Sequence, residues 1–173
     1  RTFIASISCV VNAGAIPVFA DVDPVSGNLS SETISAVITP KTKAVICVHL
    51  AGWPCDMDPI MVLAAKYDLK VIEDCAQVPF ATYKGRQVGS LGDMGVFSLN
   101  YHKHIHSGEG GVLFTNNDDL ARKLSLIRNH AESVITKTEA NEFTNMIGYN
   151  FRLGEIEAAI ALEQIKKLEN IVS

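Results

Sequence analysis

Reactive side chains concentrate between residues 98 and 111, where Ser98, Asn100, Tyr101, His102, Lys103, His104, His106 and Glu109 follow one another closely. On an extended chain His102, His104 and His106 share one face at period two, a spacing that could present three imidazoles to a metal ion. No cysteine or carboxylate of suitable spacing joins them and Lys103 sets a cation beside them, so a metal centre is the weakest reading of the segment. Gly108-Glu109-Gly110-Gly111 fits neither G-x-x-x-x-G-K-[ST] nor G-x-G-x-x-G and reads as a tight turn into a strand. A lone lysine is normally a solvated surface group. Lys103, however, is embedded between a strand end and a glycine turn among imidazoles, where burial and nearby cations favour the neutral amine that Schiff-base chemistry requires. Two further candidates close strands: Asp74, either a loop cap or a carboxylate at the mouth of a sheet, and Ser98, either a turn former or a phosphate ligand.

The elements that must position these groups follow from the apolar pattern. Ile16–Ala20 reads as a strand and runs into the turn-rich Asp23-Pro24-Val25-Ser26-Gly27-Asn28. Ser30 or Ser31 caps a short helix with Ile34, Val37 and Ile38 on its face, and Ala44–Val48 reads as a buried strand. Asp58 and Pro59 open a helix with an Ile60, Leu63, Ala64 and Tyr67 face, before a strand at Leu69–Ile72. Tyr83–Gly95 is a loop or hairpin, Gly95–Ser98 and Gly111–Thr115 are strands, and Asn117 caps a helix bearing Leu120, Leu124 and Ile127. Ala131–Asn145 reads as an irregular, flexible loop, and Leu153–Val172 as one amphipathic helix. Strands alternating with helices predict an α/β fold of three layers, α-β-α, around a mostly parallel mixed sheet. Chemistry in such folds gathers at the carboxyl ends of the strands, here His49–Trp53, Glu73–Gln77 and Ser98–Lys103.

The chain has 173 residues, 47% of them hydrophobic, 20% charged and 7% aromatic, in the range of globular domains. Fifteen Lys plus Arg against nineteen Asp plus Glu give a net charge of -4, and no basic stripe argues for nucleic acid. No apolar run reaches the ~18 residues of a membrane span, and the opening residues lack the zones of a signal peptide. Cys9, Cys47, Cys55 and Cys75 form no CxxC pair and read as reduced, mostly buried residues of a cytoplasmic protein.

Several strings together resemble one family. Asp74-Cys75-Ala76-Gln77, Val88-Gly89-Ser90-Leu91-Gly92-Asp93, Phe97-Ser98 to Lys103, Gly108-Glu109-Gly110-Gly111, Arg128-Asn129-His130 and Gly148-Tyr149-Asn150-Phe151-Arg152-Leu153 occur in the order and at the spacings of the DegT/DnrJ/EryC1/StrS aminotransferases. These are sugar aminotransferases dependent on pyridoxal 5'-phosphate (PLP), with the aspartate aminotransferase-like fold. The resemblance implies that Lys103 holds PLP as a Schiff base and that Asp74 faces the pyridine nitrogen, keeping it protonated. It implies equally that Gln77 meets the ring's 3-hydroxyl, that Ser98 binds the phosphate, and that Asn150 reaches the phosphate in a neighbouring subunit. A homodimer with shared active sites follows from the last of these. The implied substrates are an amino-acid donor such as glutamate and a nucleotide-linked keto-sugar, with no metal, nucleic acid or membrane involved.

The family often carries an aromatic residue after the phosphate-binding Ser and a His three places before the lysine, where this chain has Leu99 and Asn100. The His position tends to face substrate. Relatives that dehydrate rather than transaminate replace the lysine by His, so Lys103 favours transamination over a sugar dehydratase. Family members run to about twice this length. Residues 1–173 are therefore expected to be part of a large PLP-binding domain, without the N-terminal segment that completes the phosphate site and without the small C-terminal domain. Such a fragment would lack a strand from its ladder and would be inactive alone, and a non-catalytic remnant is the alternative from outside enzymology.

Overall fold

The computed structural model describes residues 2–132 and 146–172. Its helices are α1 (Ala5–Asn12), α2 (Ser31–Ser35), α3 (Met57–Tyr67), α4 (Asp118–Arg128), α5 (Glu155–Ile165) and α6 (Leu168–Val172). The strands are β1 (Ala44–Val48), β2 (Lys70–Asp74), the short pair β3 (Thr82–Tyr83) and β4 (Arg86–Gln87), β5 (Met94–Ser98) and β6 (Gly111–Phe114). β1, β2, β5 and β6 form one sheet in that order, the first three parallel and β6 antiparallel to β5, while β3 and β4 make a separate hairpin. The mixed, mostly parallel sheet agrees with the alternation of strands and helices in the sequence.

Local chemistry explains several boundaries. Ser30 and Thr33 form a reciprocal capping box at the start of α2, and the Asn117 carboxamide oxygen accepts the Leu120 amide at the start of α4 (2.9 Å). α3 begins at Met57, earlier than Asp58-Pro59 suggests, with Asp56 as its N-cap, and Pro59 falls within the first turn, where its missing N–H costs nothing. Met57, Ile60 and Ala64 bury one face of α3 against Ile34, Cys47, Cys55, Leu69 and Val71, the main core between α2, α3 and strands β1 and β2. Cys47, Cys55 and Cys75 are buried free thiols and Cys9 is exposed.

Two expectations fail, each for a physical reason. Ile16–Ala20 is no strand, and Ile16, Val18 and Phe19 are 86, 66 and 68% exposed. A strand exists only through a neighbour's hydrogen bonds, and none of the described residues pairs with this segment. The C-terminal stretch is two helices rather than one, broken at Lys166-Lys167, and of its apolar residues only Ala161 is buried, against Leu99 and Ile105. The expected loop at Ala131–Asn145 lies almost wholly outside the described residues. No helix among the described residues is long and apolar enough to cross a membrane.

Candidate active site

β2 and β5 run parallel with Glu73 level with Gly95 and Asp74 level with Val96, so their carboxyl ends share one edge of the sheet. Side chains alternate along a strand and neighbours in register point the same way. Asp74, Val96 and Ser98 therefore share one face, with Ser98 two residues, about 7 Å, beyond the level of Asp74. Glu73 and Gly95 occupy the other face, toward the main core. Lys103 follows in the turn after β5, half-buried, its amide donating to the Asn100 carbonyl (2.9 Å).

The side chains of Asp74, Gln77 and Ser98 are each oriented by a neighbour. The Asp74 carboxylate accepts the Ala76 amide through Oδ1 (3.1 Å) and the Ser6 hydroxyl through Oδ2 (2.7 Å), which brings α1 over the strand end. Gln77 Oε1 accepts the Ala51 amide (2.9 Å). Ala51 adopts φ 49° and ψ 42° in a 3₁₀ turn, a left-handed conformation that Cβ sterics disfavour. That turn is pinned from behind by the buried Asn28, whose Oδ1 accepts the Leu50 amide and whose Nδ2 donates to the Trp53 carbonyl. Ser98 Oγ accepts the Asn100 amide (3.2 Å). Asp74, Gln77, Ser98 and Lys103 all belong to this one edge of the sheet. Asn150 belongs to another part of the molecule, exposed and bridged to Asn129 beyond the C-terminal end of α4. The histidines do not form the extended row considered above, because residues 101–105 are turns and bends.

Beneath the site lies a lock whose roles the sequence did not disclose. The fully buried Glu73 accepts His49 Nε2 (3.0 Å) and the Gly89 amide (2.8 Å) on Oε2, and the amides of Leu91 (2.7 Å) and Gly92 (2.7 Å) on Oε1. His49 Nδ1 accepts the Cys55 amide (3.0 Å), so the imidazole is neutral and its Nε2–H donates to Glu73. His49, Glu73 and Cys75 hold their ligand atoms within 4.8 Å of one another, yet both ring nitrogens and the carboxylate are already engaged, which makes the cluster a hydrogen-bonded network. This gives the Val88–Asp93 string its meaning: it folds over the sheet and delivers three amides to one carboxylate. Gly95 is required there, since a Cβ on it would stand 2.3 Å from the Gly89 carbonyl oxygen.

Burial pushes the Glu73 carboxyl up, but His49 and the three amides outweigh it and hold the group below the ordinary glutamate range. A carboxyl that titrates lower when folded stabilises the protein above its unfolded pKa, and that contribution is lost as pH falls through the folded value. Glu73→Gln forces an NH₂ group to face N–H donors whichever way the amide turns. We expect it to cost about 3 kcal/mol, read as a lower urea midpoint, and to flatten the acid limb of the stability curve. An unchanged midpoint would show that the lock contributes nothing.

Comparison with known proteins agrees with this architecture. The chain is 44% identical over 168 residues to GDP-perosamine synthase of Caulobacter vibrioides, covering 97% of this chain and 44% of the relative. It is 45% identical over 160 residues to a UDP-N-acetyl-3-dehydro-alpha-D-glucosamine 3-aminotransferase of Acidithiobacillus ferrooxidans, covering 92% of this chain and 42% of the relative. The solved structure of an aminotransferase from Psychrobacter cryohalolentis superposes with a TM-score of 0.90 at 48% identity, covering 98% of this chain and 45% of that one. The chain thus spans less than half the length of these relatives. Residues 1–173 match the family model throughout, and the chain belongs to the DegT/DnrJ/EryC1/StrS aminotransferase family.

Proposed function

We propose that the chain is the central part of the large domain of a cytoplasmic, homodimeric PLP-dependent aminotransferase that moves an amino group from glutamate or a similar donor to a nucleotide-linked keto-sugar. The family is PLP-dependent. One observation carries the reading: Asp74 and Ser98 share a face at the carboxyl ends of adjacent parallel strands, with Lys103 in the turn that follows. Relatives named for GDP- and UDP-linked sugars support the substrate class.

The residues fit the cofactor by what their neighbours leave unused. Among the described residues Asp74 has accepted two hydrogen bonds, which leaves lone pairs for a ring N–H. Gln77 has used its oxygen and keeps its NH₂ to donate to the ring's 3-oxygen, and Ser98 has accepted one amide and keeps its O–H for a phosphate oxygen. Bound PLP supplies an electron sink for the charge left when the donor's α-carbon loses its proton. Around it, Asp74 would hold a proton on the ring nitrogen, and Lys103 would hold the group covalently until the donor's amino group displaces it, after which the freed amine would take and return the proton at the α-carbon. Asn150, on an exposed segment, reaches the phosphate of the partner subunit. Segments before and after residues 1–173 complete the phosphate site and add the small domain. The test is to load the full-length polypeptide with PLP, reduce it with borohydride and map the modified peptide, then assay amino transfer to a keto-sugar nucleoside diphosphate. Modification at Lys103 with transfer supports the reading, and modification elsewhere or no transfer refutes it.

A further inference from the structure

We propose that Asn100 is a positioning residue for Lys103, and that its hydrogen bond to Glu109 fixes the turn from which Lys103 reaches the cofactor. The inference rests on the reading of Lys103 given above. Asn100 engages four polar groups at once. Its amide donates to Ser98 Oγ (3.2 Å), its carbonyl accepts the Lys103 amide (2.9 Å), its Oδ1 accepts the His102 amide (3.1 Å), and its Nδ2 donates to Glu109 Oε1 (2.8 Å). The same residue bridges Gly108 through its backbone. The backbone of this residue ties the strand end bearing Ser98 to the turn bearing Lys103, and its side chain joins that turn, at the His102 amide, to Glu109 on the limb returning to β6.

The rest of the loop is fastened from the opposite side. Leu99 and Ile105 are buried with Ala161, the Leu99 amide donates to the Gly110 carbonyl (2.8 Å), and the Ser107 amide donates to the Leu99 carbonyl (3.0 Å). The apolar anchors fix the depth of the loop, and the Asn100–Glu109 bond fixes its polar edge, where Lys103 emerges. A lysine ammonium rides on a flexible four-carbon stem, so its position is reproducible only if its backbone is held, and misplacement of about 1 Å costs on the order of a hundredfold in reactivity. The position requires an acceptor toward His102 and a donor toward Glu109 on one short side chain. A carboxamide supplies both, whereas a carboxylate would set two acceptors against each other.

The donor–acceptor sense gives the test, a reversal cycle in the full-length polypeptide comparing the parent with Asn100→Asp, Glu109→Gln and the double variant. The readout is the rate and extent of PLP capture at Lys103, measured as the mass of the borohydride-reduced Lys103 peptide at fixed PLP, with circular dichroism reporting the fold. Asn100→Asp should slow capture about tenfold, because the new carboxylate opposes Glu109. Glu109→Gln should change it less than about threefold, since its carboxamide oxygen still accepts. The double variant should return to within about threefold of the parent, because the carboxamide at 109 now donates to the carboxylate at 100 while the other carboxylate oxygen keeps the His102 amide. A general structural role for Asn100 would give the same loss in both backgrounds. Equal losses, or parental capture by Asn100→Asp alone, overturn the proposal. A parent that does not capture PLP at Lys103 overturns the underlying reading, and this inference with it, in an arm separate from the variants.

Discussion

Lys103→Ala in the full-length polypeptide should abolish covalent PLP capture and lower amino transfer by about 10⁴-fold or more, while leaving the fold intact. The size of the loss follows from the two duties proposed for one amine, covalent anchorage of the cofactor and carriage of the proton at the donor's α-carbon, so both attachment and proton transfer would lose their agent. The fold should survive because Lys103 is half-buried, lies outside the hydrophobic clusters and has no side-chain partner among the described residues. Its amide bond to the Asn100 carbonyl involves only the backbone and is kept by alanine. The urea midpoint should therefore correspond to a change within about 0.5 kcal/mol, as for surface substitutions. Added methylamine or another small primary amine should restore part of the proton-transfer rate without restoring covalent capture. Transfer at the parental rate in this variant would remove Lys103 from the chemistry, and a collapsed urea midpoint would show a structural duty that its surroundings do not suggest.

How far the sequence discloses such a site depends on whether the interaction concerned is local. Helix caps are local, and Ser30 and Asn117 bond residues three places on, so their side-chain chemistry is legible from spacing alone. Strand ends are nearly as legible: β1, β2, β5 and β6 fall close to their expected places, and the carboxyl-end rule leads directly to Asp74 and Ser98. Pairing is not local. Ile16–Ala20 has the composition of a strand, but composition cannot supply the neighbour that a ladder needs. Glu73 and Asp74 are adjacent carboxylates on one strand, and period two guarantees only that they point to opposite faces. Which of them meets the core and which the open edge is decided by His49 and the Val88–Asp93 turn on one side and by α1 on the other. Ser6, 68 residues before Asp74, carries no signal of its partnership. Asn100 was legible as a departure from the family's His, but its bond to Glu109, nine residues on, appears only when the loop closes.

Asp74→Asn isolates charge from geometry, and the surroundings of Asp74 make the separation clean. Its Oδ1 keeps the Ala76 amide, and the Ser6 hydroxyl, which donates to Oδ2, can turn and accept from the new NH₂ instead. The side chain thus stays in place without an unsatisfied polar group, and the fold, the turn at Cys75-Ala76 and the lock around Glu73 are untouched. What disappears is the negative charge proposed to hold the proton on the cofactor's ring nitrogen, and with it the electrostatic stabilisation that charge would give to the transition state. We expect kcat to fall by about a hundredfold or more, roughly 3 kcal/mol, while PLP capture at Lys103 persists because attachment and phosphate binding depend on other residues. Ser6→Ala serves as the control, since it removes one hydrogen bond and leaves the charge, and should cost no more than about tenfold. If Asp74→Asn transfers amino groups at close to the parental rate, the carboxylate is only the cap of the turn that follows β2; if Ser6→Ala matches its loss, hydrogen bonding rather than charge is what Asp74 contributes.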